Sequence, residues 1–156
     1  MKKLACYVVR HADAGKRGAV ADEQRPLSRR GRAQAEWIAE TLGGAGITRL
    51  IASPYVRCIE TLEPLAARID VDIEVRDDLG EGNGPASALA LIEAAAAPIA
   101  ICTHGDVIGE LIEELDRRAV PRDDDRMAKG STWVLTRHGR DIVDAHYVPA
   151  PKSTDA

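Results

Sequence analysis

An arginine and a histidine stand side by side where the first apolar segment of the chain ends. Leu4–Val9 has the composition of a buried strand, and Arg10 and His11 follow it directly. In an open α/β sheet, ligands bind in the crevice beyond the carboxyl ends of the strands. A guanidinium and an imidazole at that edge are suited to an anion, and a neutral imidazole nitrogen is also a credible nucleophile.

Two further apolar segments end in residues of the same types. Ile47–Ala52 is followed within a few residues by Arg57, and Ile99–Thr103 is followed directly by His104. If these strands are parallel, two arginines and two histidines collect at one edge of the sheet. Because two guanidinium groups repel each other unless an anion joins them, the cluster indicates a phosphate site.

Each of these side chains also has a purely structural interpretation. Taken alone, Arg57 could be a surface arginine paired with Glu60, three residues further along a predicted helix. His11 alone could be a metal ligand or a hydrogen-bonded structural histidine. The metal interpretation is weak, because the four histidines lack tight ligand spacing and no thiol pair supports them. His138 and His146 are expected to be ordinary surface or edge histidines.

The segments between the strands predict helices. Ser28 is expected to cap a helix over Arg29–Leu42. Ser53 and Pro54 make a good N-cap and first-residue pair for a second helix. Pro64 should kink or shorten that second helix.

The rest of the chain continues the alternation of strands and helices. The further elements are the end of the second helix near Arg68, a short strand near Val71–Val75, a glycine-rich loop over Asp77–Gly84, helices over Ala86–Ala96 and Asp106–Arg118, and a terminal hairpin of Thr132–Thr136 and Ile142–Val148. This order predicts an α/β fold with three layers (α/β/α) and a mainly parallel central sheet. Residues 1–148 are expected to form a single domain, and residues 149–156 a flexible tail.

The composition limits the classes of partner. The net charge of −4 argues against nucleic-acid binding, although a cationic pocket can exist inside an acidic protein. Cys6, Cys58 and Cys102 fall in separate apolar stretches, which favours buried, reduced thiols in a cytoplasmic protein. The apolar run before Arg10 is too short for a signal sequence, and no run is long enough to cross a membrane. We therefore expect no membrane partner.

Three stretches of the chain resemble the signatures of the histidine phosphatase superfamily, which has the phosphoglycerate mutase-like fold. They are Val8-Val9-Arg10-His11-Ala12, Ser53-Pro54-Tyr55-Val56-Arg57-Cys58-Ile59-Glu60-Thr61-Leu62 and Thr103-His104-Gly105. Arg25-Pro26-Leu27-Ser28, followed by Gly31 and Ala33-Gln34-Ala35, is similar to the small branch of SixA-type phosphohistidine phosphatases.

The resemblance implies roles for the clustered residues. His11 would attack phosphorus and carry the phosphoryl group as a covalent phosphohistidine. Arg10, Arg57 and His104 would hold the phosphate, and transfer to water would regenerate His11. Neither a metal nor another cofactor is expected, because the arginines supply the charge that a magnesium ion supplies elsewhere.

Glu81 is the candidate proton donor. Leu79-Gly80-Glu81 resembles the Leu-x-Glu stretch that carries the acid in many members of the superfamily. Glu81 would protonate the leaving oxygen and later take a proton from water. The alternative is that Glu81 only solvates a glycine-rich loop, as Asp77 and Asp78 are expected to do.

The segment between Arg57 and His104 is short. It is too short to contain the insertion that closes over the substrate in the sugar-phosphate mutases of this superfamily, which favours a phosphatase over a mutase. The substrate could be a phosphohistidine of a protein or a small phosphate ester. The stretch from Arg57 to Ala66 also resembles the phosphatase half of some actinobacterial MutT-type Nudix fusions, which suggests a nucleotide-related phosphate. A non-catalytic phosphate-binding module is the remaining alternative, but it would need neither His11 nor an acid.

Overall fold

A six-stranded sheet forms the centre of the protein and carries helices on both faces. The computed structural model describes residues 2–18 and 20–151. In chain order its strands and helices are β1 (Lys3–Arg10), α1 (Arg29–Leu42), β2 (Arg49–Ala52), α2 (Val56–Ile69), β3 (Ile73–Val75), α3 (Ala86–Ala94), β4 (Ile99–Thr103), α4 (Gly105–Arg117), β5 (Thr132–His138) and β6 (Asp141–Val148). The predicted α/β fold with a mainly parallel sheet is confirmed.

The order of the strands brings the candidate site residues to one edge. The strands lie in the order β3-β2-β4-β1-β5-β6, with β3, β2, β4 and β1 mutually parallel and β5 and β6 joined as an antiparallel hairpin. Arg10 pairs with Thr103, and Ala52 pairs with Cys102. The residues that follow these strands therefore leave the sheet side by side, as expected for parallel neighbours.

Alternating side chains of the strands build two separate cores. Along β4, Ile99 and Ile101 face the helices α3 and α4, whereas Ala100 and Cys102 face α1 and α2. This period of two is typical of a strand that is buried on both faces. Cys6, Cys58 and Cys102 are all buried free thiols, as the sequence predicts.

The start of α2 differs from the prediction. Tyr55, rather than Ser53, is the N-cap of the helix, and the Oγ of Ser53 lies 2.8 Å from the Nε2 of His104. The hydroxyl therefore contacts the histidine, and it also accepts a hydrogen bond from the amide of the N-cap residue Tyr55 at 3.3 Å. Pro64 does not shorten the helix, which continues to Ile69.

Smaller differences concern the ends of other elements. The second and third strands begin later than predicted, at Arg49 and Ile73. A short 3₁₀ turn over Asp77–Leu79 opens the segment that the glycines predict to be a loop. Of the predicted flexible tail, residues 152–156 lie outside the described residues. Within residues 2–18 and 20–151, no helix combines the length and apolar character needed to cross a membrane.

The loop that follows β1 is fixed against the start of α1. Ser28 caps α1 by accepting a hydrogen bond from the Gly31 amide at 3.0 Å, as predicted. The same hydroxyl donates to the Asp13 carboxylate at 2.6 Å, and the Ser28 amide donates to the Asp13 carbonyl at 3.0 Å. A Cβ at Gly31 would lie 1.9 Å from that carbonyl oxygen. Only glycine therefore allows the loop to approach the helix this closely.

We predict that Gly31→Ala destabilises the protein, although glycine to alanine inside a helix normally stabilises by about 0.5–1 kcal/mol. The clash with Asp13 should reverse the sign and lower the free energy of unfolding by about 1–3 kcal/mol. Urea denaturation measures the change. Gly44→Ala is the matched control, because a Cβ there meets nothing within 4 Å. Equal stabilities of the two variants would contradict the packing argument.

Candidate active site

The structure brings all five candidate side chains together at the carboxyl edge of the sheet. A cavity of about 530 Å³, called here the front cavity, opens above them. Four of the five candidates line it, namely Arg10, His11, Arg57 and Glu81. His104 lies beside three of these residues in an adjoining cavity of about 540 Å³. The convergence of strand ends therefore produces the cationic cluster that the sequence predicts.

His11 is buried at the floor of the front cavity and is held in one orientation. Its amide donates to the Thr103 carbonyl at 3.1 Å, which extends the ladder between β1 and β4. Its Nδ1 lies 2.9 Å from the carbonyl oxygen of Ala12. Because a carbonyl can only accept, Nδ1 must carry the proton, and the lone pair of a neutral ring is then on Nε2.

The environment of His11 disfavours the charged imidazolium. Burial, reinforced by the positive charges of Arg57 and Arg10 and by the neighbouring His104, lowers the pKa of His11 to about 3. The Ala12 carbonyl opposes this effect but does not outweigh it. His11 is therefore neutral near pH 7, which is the state that a nucleophile requires.

Arg57 lies in the first turn of α2 with only 1% of its side chain exposed. It donates to the carbonyl oxygen of Asp22 at 2.8 Å, to the carboxylate of Asp22 at 3.2 Å and to the carboxylate of Glu81 at 2.7 Å. Its Cζ lies 4.8 Å from the centre of the Tyr55 ring. The guanidinium is thus buried and pointed at the cavity.

The partner of Arg57 is not the one that its helix offers. Glu60, the candidate for a surface ion pair, instead accepts a hydrogen bond from the Leu27 amide at 2.8 Å. Asp22 takes that place and comes from a 3₁₀ turn in the loop after β1. The surface interpretation of Arg57 is therefore wrong.

Arg10 reaches the site from the last position of β1. Its Nη1 donates to the carbonyl oxygen of Met127 at 2.9 Å. Gly105, the first residue of α4, lies against the guanidinium, and a Cβ there would come within 3.0 Å of the Arg10 Cζ. Burial lowers the pKa of Arg10. The absence of a side chain at Gly105 is what lets the guanidinium lie over the start of the helix.

His104 precedes α4 and is held by two of its neighbours. Its Nε2 lies 2.8 Å from the Oγ of Ser53, and its ring packs edge-on against Tyr55 with 4.5 Å between the ring centres. Its Nδ1 is 3.4 Å from a carboxylate oxygen of Glu81 and has no hydrogen-bond partner among the described residues. The Nδ1 is therefore available to a group that enters the site.

Glu81 lies at the mouth of the cluster, with 40% of its side chain exposed. The same carboxylate oxygen, Oε1, is close to both Arg57 and His104. The interpretation that Glu81 only solvates a loop is therefore wrong, because its carboxylate lies among the cations. Asp78, by contrast, pairs with the exposed Arg76 away from the cluster.

Sequence reasoning missed residues that connect the site internally. Thr61 accepts a hydrogen bond from the Ala12 amide at 2.9 Å and donates to the Arg57 carbonyl at 2.6 Å. It thereby joins the loop after β1 to α2. The available signal was its position one helical turn after Arg57. Asp22 had no signal, because only the fold brings its loop to α2.

The arrangement suits an anion held by fixed donors and attacked by an imidazole. Two guanidinium groups and the imidazole of His104 line the same two adjoining cavities as His11 and supply hydrogen-bond donors there. Across the described residues, no three His, Cys, Asp or Glu side chains are arranged to hold a metal ion.

A model of the histidine phosphatase superfamily (branch 1) matches residues 6–97, which is more than half of the chain. The chain belongs to the histidine phosphatase superfamily. The predicted family is confirmed, and the match agrees with the predicted class of enzyme, a phosphate hydrolase.

Two of the relatives with curated descriptions come from mycobacteria. Over 153 residues the chain is 41% identical to an 8-oxo-(d)GTP phosphatase of Mycolicibacterium smegmatis, with 92% of this chain and 48% of the relative aligned. Over 78 residues it is 38% identical to an uncharacterized protein of Mycobacterium tuberculosis, with 48% of this chain and 39% of that protein aligned. The chain thus spans half or less of the length of these relatives.

Solved structures of the superfamily share the fold. A putative phosphohistidine phosphatase SixA from Nakamurella multipartitia has a TM-score of 0.75 at 22% identity and covers 99% of both chains. The protein histidine phosphatase SixA complexed with tungstate has a TM-score of 0.74 at 21% identity, over 93% of this chain and 94% of that chain. The predicted phosphoglycerate mutase-like fold is confirmed.

We predict that the His11 ring of this histidine phosphatase family member stays neutral down to about pH 4, because its pKa is lowered to about 3. The unfolded chain binds a proton on this ring near pH 6.5, whereas the folded protein does not. The free energy of unfolding therefore decreases as the pH falls from about 6.5 to 3. NMR titration of the imidazole nitrogens measures the pKa, and His11→Asn identifies the signal. A midpoint near 6.5 would contradict the assignment.

Proposed function

We propose that the protein is a metal-independent phosphatase that works through a covalent phosphohistidine at His11. The observation that carries the proposal is the state of this ring. It is buried and neutral, with the proton fixed on Nδ1 by Ala12 and the lone pair on Nε2, beside two guanidinium groups. Such a nitrogen needs no further activation to attack phosphorus. As part of the same proposal, residues 1–148 act as one domain.

In the first step, the His11 Nε2 attacks the phosphorus and the bond to the leaving group breaks. Arg10 and Arg57 bind the equatorial oxygens, because their planar donors match a phosphoryl group better than an ammonium would. His104 donates from its unpartnered Nδ1 to the same group. These fixed positive groups stabilise the charge of the transition state without reorganisation.

Glu81 supplies and removes the proton. A phosphate dianion competes with the Glu81 carboxylate for the same Arg57 nitrogen, so binding of the substrate shifts Glu81 towards the leaving group. Once displaced from Arg57, the carboxylate takes up a proton from solvent, and the acid formed gives this proton to the leaving oxygen. The resulting carboxylate then takes a proton from the water that attacks the phosphohistidine, and His11 and inorganic phosphate are released.

Three substrate classes fit this site. The open cavity suits a phosphohistidine on a protein or a small phosphate ester, and the likeness to SixA structures supports the first. The Mycolicibacterium smegmatis relative supports a nucleotide-related phosphate as the alternative. A non-catalytic phosphate-binding module is disfavoured, because such a module would need neither the neutral imidazole of His11 nor the carboxyl group of Glu81, whose side chain is 40% exposed.

We predict that the protein releases phosphate from a chromogenic aryl phosphate in excess chelator, and that His11→Ala abolishes this turnover while the protein remains folded. The loss should reach the background rate, because no other group can form the intermediate. Circular dichroism checks the fold. His146→Ala is the matched control, since His146 is exposed on β6. Wild-type rates in His11→Ala would exclude His11 as the nucleophile.

We predict that Glu81→Gln slows the hydrolysis of an alkyl phosphate by about 10²–10⁴-fold, the usual contribution of a general acid. Phosphohistidine hydrolysis should fall less, because the leaving nitrogen has less need of a proton. The measurement compares kcat on the two substrates, with Asp78→Asn as a control in the same loop. Equal losses on both substrates would remove the assignment of Glu81 as the acid.

A further inference from the structure

The front cavity carries more positive charge than one phosphate needs. Its charged lining consists of six cations and two carboxylates, namely Arg10, Lys16, Arg17, Arg25, Arg57 and Lys129, with Asp13 and Glu81. The chain as a whole has a net charge of −4. A concentration of one sign of charge in a cleft of an otherwise acidic protein focuses its potential on anions.

Four of the six cations fall into an inner and an outer group, while Arg17 and Arg25 lie close to the carboxylate of Asp22. Arg10 and Arg57 are the inner pair, next to His11. Lys16 and Lys129 lie further out on the same cavity. The Lys129 side chain is 45% exposed and lies 3.8 Å from the carboxylate of Asp13, a distance at which an exposed pair contributes little.

Lys16 is held by fewer interactions than Lys129. Lys16 is exposed, and no carboxylate in residues 2–18 and 20–151 forms an ion pair with its ammonium group. The dianion of a monoester is already met by Arg10 and Arg57. Lys16 and Lys129 are therefore left with the charge to bind a second anionic group beyond the first phosphoryl group.

A second cavity continues from this outer group. It has a volume of about 400 Å³, shares Asp13 and Lys129 with the front cavity, and is called here the side cavity. Its other lining residues include Gln34, Arg126, Tyr147, Pro149 and Pro151. It is less charged than the front cavity and contains two prolines and a tyrosine.

The side cavity offers a surface for a flat ring. The guanidinium of Arg126 lies over the Tyr147 ring, with 5.1 Å from its Cζ to the ring centre. A guanidinium plane stacks on aromatic faces, including those of nucleobases. The Tyr147 hydroxyl accepts a hydrogen bond from the Ala128 amide at 3.1 Å, which holds the ring in this wall.

The wall between the two cavities is tied to the nucleophile. Gln34 accepts a hydrogen bond from the Asp13 amide at 2.9 Å and donates to the Lys129 carbonyl at 3.4 Å. The next amide, of Gly130, donates to the His11 carbonyl at 3.2 Å. Lys129 is therefore held at a fixed backbone position relative to His11.

We propose that Lys16 and Lys129 form a second anion subsite for the penultimate phosphoryl group of a nucleoside polyphosphate. The terminal phosphoryl group lies at His11, and the nucleoside lies in the side cavity against Arg126. This inference rests on the proposed function and names the substrate class for it. Attack at His11 then releases a nucleotide that is one phosphoryl group shorter, and that phosphoryl group leaves as inorganic phosphate after hydrolysis.

The first arm of the test compares substrates on the wild-type protein. Phosphate release is measured with GDP, GMP and an aryl phosphate under the same conditions. GDP fills the second anion subsite and GMP cannot fill both subsites at once, so we expect kcat/KM for GDP to exceed that for GMP about tenfold or more. Equal values for GDP and GMP would overturn the proposal. So would a phosphohistidine protein that is hydrolysed with a much higher kcat/KM than GDP.

The second arm uses charge-removing variants. Lys129→Gln and Lys16→Gln should each lower the ratio of kcat/KM for GDP to kcat/KM for the aryl phosphate by about tenfold, mainly through KM. Lys3→Gln, which removes the same charge near the start of β1, should leave that ratio unchanged. An unchanged ratio in both cavity variants would overturn the proposal.

Failure of the proposed function has a different signature. In that case the wild-type protein would not hydrolyse the aryl phosphate, or His11→Ala would hydrolyse it at the wild-type rate. The protein could instead hydrolyse the aryl phosphate in a reaction that depends on His11 and show no preference for GDP. That result would contradict only the second anion subsite.

Discussion

The burial of the Arg57 guanidinium is the interaction on which the rest of the site depends. A charge with only 1% of its side chain exposed must be compensated, and here the compensation comes from Asp22 and Glu81. Those two carboxylates lie on separate loops, one after β1 and one before α3. The need to satisfy one buried arginine therefore draws both loops to the carboxyl edge of the sheet. The same contacts orient the guanidinium towards the cavity above His11.

Much of this site could be predicted because its principal residues are local to strand ends. Arg10 is the last residue of one strand and His104 follows directly from another, and parallel pairing carries such residues to one edge without further information. The cap of α1 by Ser28 was also predictable, because a hydroxyl before a helical pattern is a local signal. Glu81 was identified only because Leu79-Gly80-Glu81 resembles a stretch of the family. The local sequence of a glycine-rich loop does not distinguish one carboxylate from another.

What the sequence could not predict are contacts between distant segments. Asp22 replaces Glu60 as the partner of Arg57 because the fold, and not helical spacing, brings its loop to α2. Ser53 has the local pattern of an N-cap, but its hydroxyl lies against His104, which comes from the start of a different helix. Arg137 on β5 is buried and donates to two carbonyl groups near the end of α3, and no local pattern announces that role. Local propensity is overridden in each case by a buried polar group that needs a partner.

The hydrogen bond from His11 to the Ala12 carbonyl has two consequences in the proposed reaction. Before attack it keeps the proton on Nδ1, so that Nε2 has the lone pair. After attack the ring carries a phosphoryl group on Nε2 and a proton on Nδ1, and it is therefore positively charged. The Ala12 carbonyl stabilises that charge, because the hydrogen bond to this carbonyl raises the pKa of His11 against the effect of burial. The surrounding arginines disfavour the charged ring, which makes the imidazole a better leaving group when water attacks. The cations that bind the substrate thus also keep the phosphohistidine short-lived.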